Sequence, residues 1–162
     1  TVSGQTWPNG CQVCEAEIDP ETGSVRVARL TALDDVGKVM NPLIAEGQVQ
    51  GGIAQGLGQA LIEHAVYDAS GQLITGSFMD YAMPRADDLP SFRAEITEHP
   101  SSTNRLGIRA GGEGGTTPAL AVVINAIVDA LADFGVRHIE MPATPERVWR
   151  AIQEACNKGQ PS

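Results

Sequence analysis

The chain has 162 residues, 11 basic against 20 acidic, and a formal net charge of −9. That length suits one ordinary domain with a real core, and the acidic balance without any basic cluster argues against nucleic acid as a partner, because phosphate contacts supply most non-specific affinity. No apolar run approaches the roughly 18 residues a membrane helix needs, and the first ten residues, TVSGQTWPNG, carry no leader pattern. The expectation is a cytoplasmic protein without a transmembrane segment.

Residues 12–18, QVCEAEI, alternate as a strand, 19–23 make a turn, and 24–33 form a second strand, giving an antiparallel hairpin. Its inward markers are Cys14, Ala16 and Ile18 on one strand and Val25 and Val27 on the other. Residues 34–38 are expected to close the hairpin. Asn41 as cap and Pro42 as first helical residue then open a helix over 43–67, with Val49, Ile53, Leu57 and Leu61 at helical spacing. Five glycines, Gly47, Gly51, Gly52, Gly56 and Gly58, interrupt it at about 1 kcal/mol each against Ala in an exposed helix. Either a neighbouring backbone packs on them, or the helix lines a ligand together with the amides of Gln48, Gln50, Gln55 and Gln59.

After a turn at 68–71, residues 72–78 read as extended and 85–90 as a polar loop. Residues 91–98 alternate Phe92, Ala94 and Ile96 against Arg93, Glu95 and Thr97, a half-buried strand. From 118 to 134 Leu120, Val123, Ile124, Ile127, Val128, Leu131 and Phe134 form a broad helical face closed by Gly135, with Thr116 or Thr117 as N-cap and Pro118 at the first position. Residues 137–141 suggest a short strand, Thr144 and Pro145 start a last helix, and 157–162 are a polar tail. The fold class expected is α+β, a mixed sheet with packed helices in one unit over 1–156.

Between the last strand and that helix lies LGIRAGGEGGTTP, residues 106–118, where Gly111, Gly112, Gly114 and Gly115 bracket Glu113. Four ordered glycines around one charge are costly in entropy. Free N–H groups leading into a helix N-terminus describe an anion site. Glu113 there is either a general base or a turn carboxylate that caps the helix.

Other chemistry is poorly supported. A P-loop needs a lysine that residues 111–117 lack, and the glycines of 52–58 follow no strand, as a dinucleotide fold requires. His64, His99 and His138 lack metal-ligand spacing. Cys11 and Cys14 form one CxxC without a second pair, which suits structural cysteines or a redox or metal role; Cys156 stands apart.

Several stretches together resemble the molybdenum-cofactor subunit of the xanthine dehydrogenase and aldehyde oxidoreductase family. LGIRAGGEGGTTPALAVVINAIVDAL is similar to its glutamate loop and following helix, and NPLIAEGQVQGGIAQGLGQAL to its glutamine- and glycine-rich cofactor segment. NGCQVCEAEIDPETGSV, GSFMDYAMPRA and MPATPERVWRAI are similar to neighbouring stretches. The resemblance implies the C-terminal part of a molybdopterin-binding domain, incomplete relative to the family's much longer subunit. It implies an oxidoreductase that hydroxylates an aldehyde or N-heteroaromatic small molecule with water-derived oxygen, with Glu113 as general base. It also implies molybdopterin, in its cytosine dinucleotide form, with molybdenum held through the pterin and by no protein side chain.

By the same resemblance, Gln48, Gly51, Gly52, Gly111, Gly112, Gly114, Gly115 and Thr116 would hold the cofactor. The partners implied are the remainder of the molybdenum subunit and iron-sulfur and FAD subunits, a hetro-oligomeric arrangement in which the isolated chain is inactive. Gly114 and Gly115 stand where the family commonly has Pro or Ala, while Gly112 and Glu113 keep its pattern. The alternative is a non-catalytic interaction or scaffold fragment of the same fold.

Overall fold

The structure is a computed structural model and describes residues 4–158. Strands β1 (Asn9–Ile18) and β2 (Val25–Asp35) form the antiparallel hairpin. The Asp19 carboxylate ties its turn by accepting from the Glu21 amide at 2.9 Å and the Thr22 hydroxyl at 2.8 Å. Strand β3 (Phe92–Thr97) adds parallel to β2, so the sheet order is β1-β2-β3 with β2 in the centre. Parallel neighbours need a long crossover, and here it contains α1 (Pro42–Leu61). The fold is mixed α+β, a three-stranded sheet with packed helices.

The hairpin is longer than the alternation predicts, and it contains a β-bulge. Glu15 pairs with Arg29 but Ala16 pairs with Val27, leaving Ala28 as an extra residue on β2. The bulge switches parity: Val27 faces the core before it, and Leu30, Ala32 and Asp34 face inward after it, each 2% exposed or less from Leu30 onward. Asp34 and Asp35 therefore belong to the strand and are buried; they do not form the closing turn. The markers Cys14, Ile18 and Val25 pack against the core as expected. On the outer face Arg29 pairs with Glu15 at 3.3 Å, and Arg26 pairs with Glu17.

Helix α1 starts as the sequence predicts, with Asn41 Oδ1 accepting from the Ile44 amide at 3.2 Å and Pro42 behind it. It ends at Leu61, six residues before the expected end. The amides of Ile62 and Glu63 both turn back to Gly58 O, at 3.0 and 2.8 Å, and the Glu63 carboxylate lies where a Gly58 side chain would be. Residues 72–78 form no strand; the Tyr67–Leu73 bridge is their local tie.

Helix α2 (Thr116–Ala130) buries Ala119, Val123 and Ile127 and lies against α1 and β1. It begins earlier than expected: Gly115 is the cap and has helical backbone, and Thr116 is the first helical residue, so neither threonine caps by side chain and Pro118 stands two residues further in. Gly135, at φ 83°, closes the turn after it. Residues 137–141 are not a strand, although Val136 and Ile139 still reach the core. Helix α3 (Pro145–Lys158) buries Val148 and Ile152 and runs into the predicted tail; residues 159–162 lie outside the described part. Its first turn rests on the hairpin through Gly23, at φ 72°, where a side chain would collide with the Pro145 carbonyl.

Candidate functional site

The glycine-rich stretch is held at both ends and open in the middle. On its incoming limb Arg109 N–H donates to Val36 O at 2.8 Å beside the Gly37–Ile108 bridge, fixing the loop to the end of β2. The Arg109 guanidinium is committed as well, donating to His99 O at 3.0 Å and to Trp7 O at 3.2 Å. Asp35 completes this anchor. Its Oδ1 accepts from the amides of Gly37 and His99, both at 2.9 Å, and Arg109 Nε lies 3.4 Å from Oδ2. Burial pushes the Asp35 carboxyl up, but the two amides and the Arg109 charge outweigh it and hold the group below the usual carboxylate range.

On the outgoing limb the loop meets α1 backbone to backbone. A side chain at Gly115 would collide with the Val49 carbonyl, and one at Gly52 would lie 3.0 Å from Thr116 N and 3.1 Å from Gly115 Cα. Gly56 continues the contact, its absent side chain leaving room for Ala119, whose Cβ would be 2.6 Å away. Thr116 Oγ1 donates to Gln55 Oε1 at 3.3 Å, and Gln12 Nε2 on β1 donates to Gly115 O at 3.0 Å. These contacts bring together Gly52, Gly115 and Thr116 of the predicted set, and they give Gly52 and Gly115 a packing reason to be glycine.

The other predicted residues lie beside this crossing. Gly111 is close to Val36 and Gly114 sits over Asp34, whereas Gly112 has nothing within 4 Å of where its side chain would be. Gly47 and Gly51, one turn apart on α1, are equally open, and Gln48 is exposed on the same side of the helix by its angular position. Glu113 is exposed, and its carbonyl accepts from the amides of Thr116 at 3.1 Å and Thr117 at 3.2 Å. The residue thus stands at the α2 N-terminus, engaged there through its backbone carbonyl. Among the described residues, no backbone acceptor takes the N–H groups of residues 111–115.

Sequence reasoning missed three contributors: Asp34, Asp35 and Gln12. The period-two pattern carries the signal for Asp34 once it is continued from Leu30 through Ala32, but the bulge hides that parity. The two paired cysteines face opposite ways, Cys11 exposed and Cys14 half-buried, as neighbours three apart on a strand must. Burial pushes the Cys14 thiol up to about 11, with the Glu15 charge adding to it. Cys14 is a packing residue, and Cys11 and Cys14 cannot close on one metal or on each other. Among the described residues no three His, Cys, Asp or Glu side chains converge as metal ligands.

Residues 1–90 match the family described as the molybdopterin cofactor-binding domain. The chain belongs to that family. More closely, it corresponds to the C-terminal cofactor-binding region of the xanthine oxidase and aldehyde oxidoreductase large subunits. It is 44% identical over 147 residues to the nicotine 6-hydroxylase large subunit of Paenarthrobacter nicotinovorans, covering 91% of this chain and 18% of that protein. It is 37% identical to the carbon monoxide dehydrogenase large chain of Hydrogenophaga pseudoflava, covering 92% and 19%. The structure superposes on quinoline 2-oxidoreductase from Pseudomonas putida 86 with a TM-score of 0.87 at 44% identity, covering 91% of this chain and 19% of that one. The chain therefore spans about a fifth of the length of the relatives it matches. Among the described residues no helix is long and apolar enough to cross a membrane.

Proposed function

We propose that this chain is the glutamate-loop part of a molybdenum hydroxylase, a scaffold that presents one wall of the cofactor pocket and has no turnover by itself. The observation that carries the reading is the run of N–H groups at 111–115 without backbone acceptors, held between two anchors at the N-terminus of α2. Such a run suits the anionic and hydrogen-bonding groups of a molybdopterin dinucleotide. Open space at Gly51 and Gly112 lets a flat ligand approach the backbone, which fits the same group.

Gln48, Gly51, Gly111 and Gly112 would line the cradle, with Gly52, Gly114, Gly115 and Thr116 holding its shape. Molybdenum would be bound through the pterin, and when bound the cofactor supplies the redox chemistry that hydroxylates a carbon with water-derived oxygen. Glu113, exposed and engaged in the helix start through its backbone carbonyl, accepts the proton as general base. The relatives named for nicotine and quinoline, both at 44% identity, support an N-heteroaromatic small molecule ahead of an aldehyde.

Residues 1–156 would act as one subdomain, incomplete without the remainder of the molybdenum subunit and served by iron-sulfur and FAD components. What supports the scaffold side is how much of the reading lies outside this chain: its cradle is open, and large apolar side chains such as Leu43 (81% exposed), Phe78 (85%) and Met79 (92%) are uncovered. The test is to purify the complete complex and the chain alone, measuring molybdenum, pterin and substrate turnover in each. Cofactor and turnover in the complex alone is the expected result. Turnover by the complex without molybdenum would refute the reading.

A further inference from the structure

Asp34 poses a problem that the anchoring of the loop does not solve. It is 2% exposed, and among the described residues its Oδ2 has no hydrogen-bond partner. An ionised carboxylate cannot remain buried and unpaired without a large desolvation cost. The backbone closes on it from two sides: a side chain at Gly10 of β1 would come within 2.9 Å of Asp34 Oδ1, and one at Gly114 of the loop within 3.2 Å.

A second orphan lies on the same face. Gln12 Oε1 is buried without a partner among the described residues, although Gln12 Nε2 is engaged with Gly115 O. Gly10 pairs with Asp34 and Gln12 with Ala32, so Gln12 and Asp34 are diagonal neighbours across β1 and β2, within reach of a long side chain. Two oxygen acceptors without donors among the described residues, at diagonal positions on one face of the hairpin, are satisfied together by one added proton. The charged groups of the adjoining elements offer no alternative. Asp35, His99 and Arg109 group with one another at the end of β2, and Glu113 on the overlying loop is exposed and of the same sign. Burial also pushes the Asp34 carboxyl up from its ordinary range.

We infer that Asp34 is a neutral carboxylic acid whose Oδ2–H donates to Gln12 Oε1, and that this bridge is a positioning device: it orients the amide that holds Gly115 and fixes the floor beneath Gly114. Resting on the reading of this loop as the Glu113 platform, the proposal makes β1 and β2 set the height at which Glu113 meets the cofactor. No atom of Asp34 is asked to touch cofactor or substrate.

The experiment uses the complete molybdenum subunit with its partner components, as wild type, Asp34→Asn and Asp34→Ala. Infrared difference spectra in H2O and D2O read the carboxyl directly. The expected result is a neutral-acid carbonyl band that shifts on deuteration and is missing from Asp34→Asn. Loss of ionised-carboxylate bands instead would overturn the assignment. Molybdenum and pterin content, measured beside it, separates positioning from mere burial. Asp34→Asn, which keeps a donor toward Gln12, should retain the wild-type content, and Asp34→Ala should lose it. Equal loss in both variants, or retention in both, would overturn the positioning role. Wild-type protein that contains no pterin contradicts the functional reading of the chain, and the infrared result then still decides the protonation of Asp34.

Discussion

Two groups of glycines in this chain look alike in sequence and do opposite things. Gly52, Gly56 and Gly115 sit where α1 and the start of α2 touch, and a side chain at any of them would crowd or collide with its neighbour. Gly47, Gly51 and Gly112 face open space, and nothing in the described fold needs them to lack a side chain. The first group explains how the loop is held. The second marks the surface where the fold gives no reason for glycine, and a ligand approaching the backbone would. The comparison also separates Asp35, whose carboxylate is met by two amides and Arg109, from Asp34, which is buried next to it with an oxygen unpartnered among the described residues.

The largest effect expected from breaking this arrangement is on chemistry. With Glu113 as the proposed general base, Glu113→Gln should lower turnover of the complete complex by roughly 10²–10⁴-fold, the usual contribution of such a group. Its stability should stay within about 0.5 kcal/mol, because the side chain is exposed. Steady-state kinetics and thermal melts on the same preparation check both halves.

Next comes the crossing. Gly115→Ala should destabilise by about 1–3 kcal/mol, the range for overpacking, since a backbone carbonyl cannot move aside. Gly56→Ala should cost less, because a gain of about 1 kcal/mol in helix propensity offsets part of its clash with Ala119. Denaturant midpoints would rank the two.

The two aspartates sharpen the comparison through pH. Asp34 has its folded pKa raised, so the folded protein holds that proton more tightly than the unfolded chain does. Its contribution is complete below the unfolded value of about 4 and declines as pH rises through the folded one. Asp35, lowered in the fold, contributes above about 4 and loses that contribution as pH falls through its folded value. Asp34→Asn should therefore gain stability relative to wild type as pH rises, and Asp35→Asn should lose most at neutral pH. Melting temperatures across the pH range would show the two variants diverging in opposite directions.

Much of the frame is legible from residue patterns alone. Asn41 and Pro42 announce α1, the alternation of Phe92, Ala94 and Ile96 gives β3, and the apolar face from Val123 to Leu131 gives most of α2. What is not legible depends on contacts remote in sequence. The extra residue Ala28 shifts the parity of β2 and hides Asp34 among residues that read as a turn. Helix α1 stops at Leu61 because the chain folds back on Gly58, and residues 137–141 reach the core without joining a sheet. For the site, the pattern points to Glu113 within its glycine frame. It cannot sort packing glycines from open ones, since that division exists only once α1 and the loop are side by side.

The smallest effect on the fold gives the most direct test. Gly51→Ala adds a methyl group to an exposed helix position with no neighbour in the described fold, so the cofactor-free subunit should be more stable by about 0.5–1 kcal/mol. If this face meets the cofactor, the same variant should carry less molybdopterin than wild type when both are prepared in the same way. Stability raised and cofactor lowered is the expected result; a stabilised variant with wild-type molybdopterin content would show that this face does not meet the cofactor.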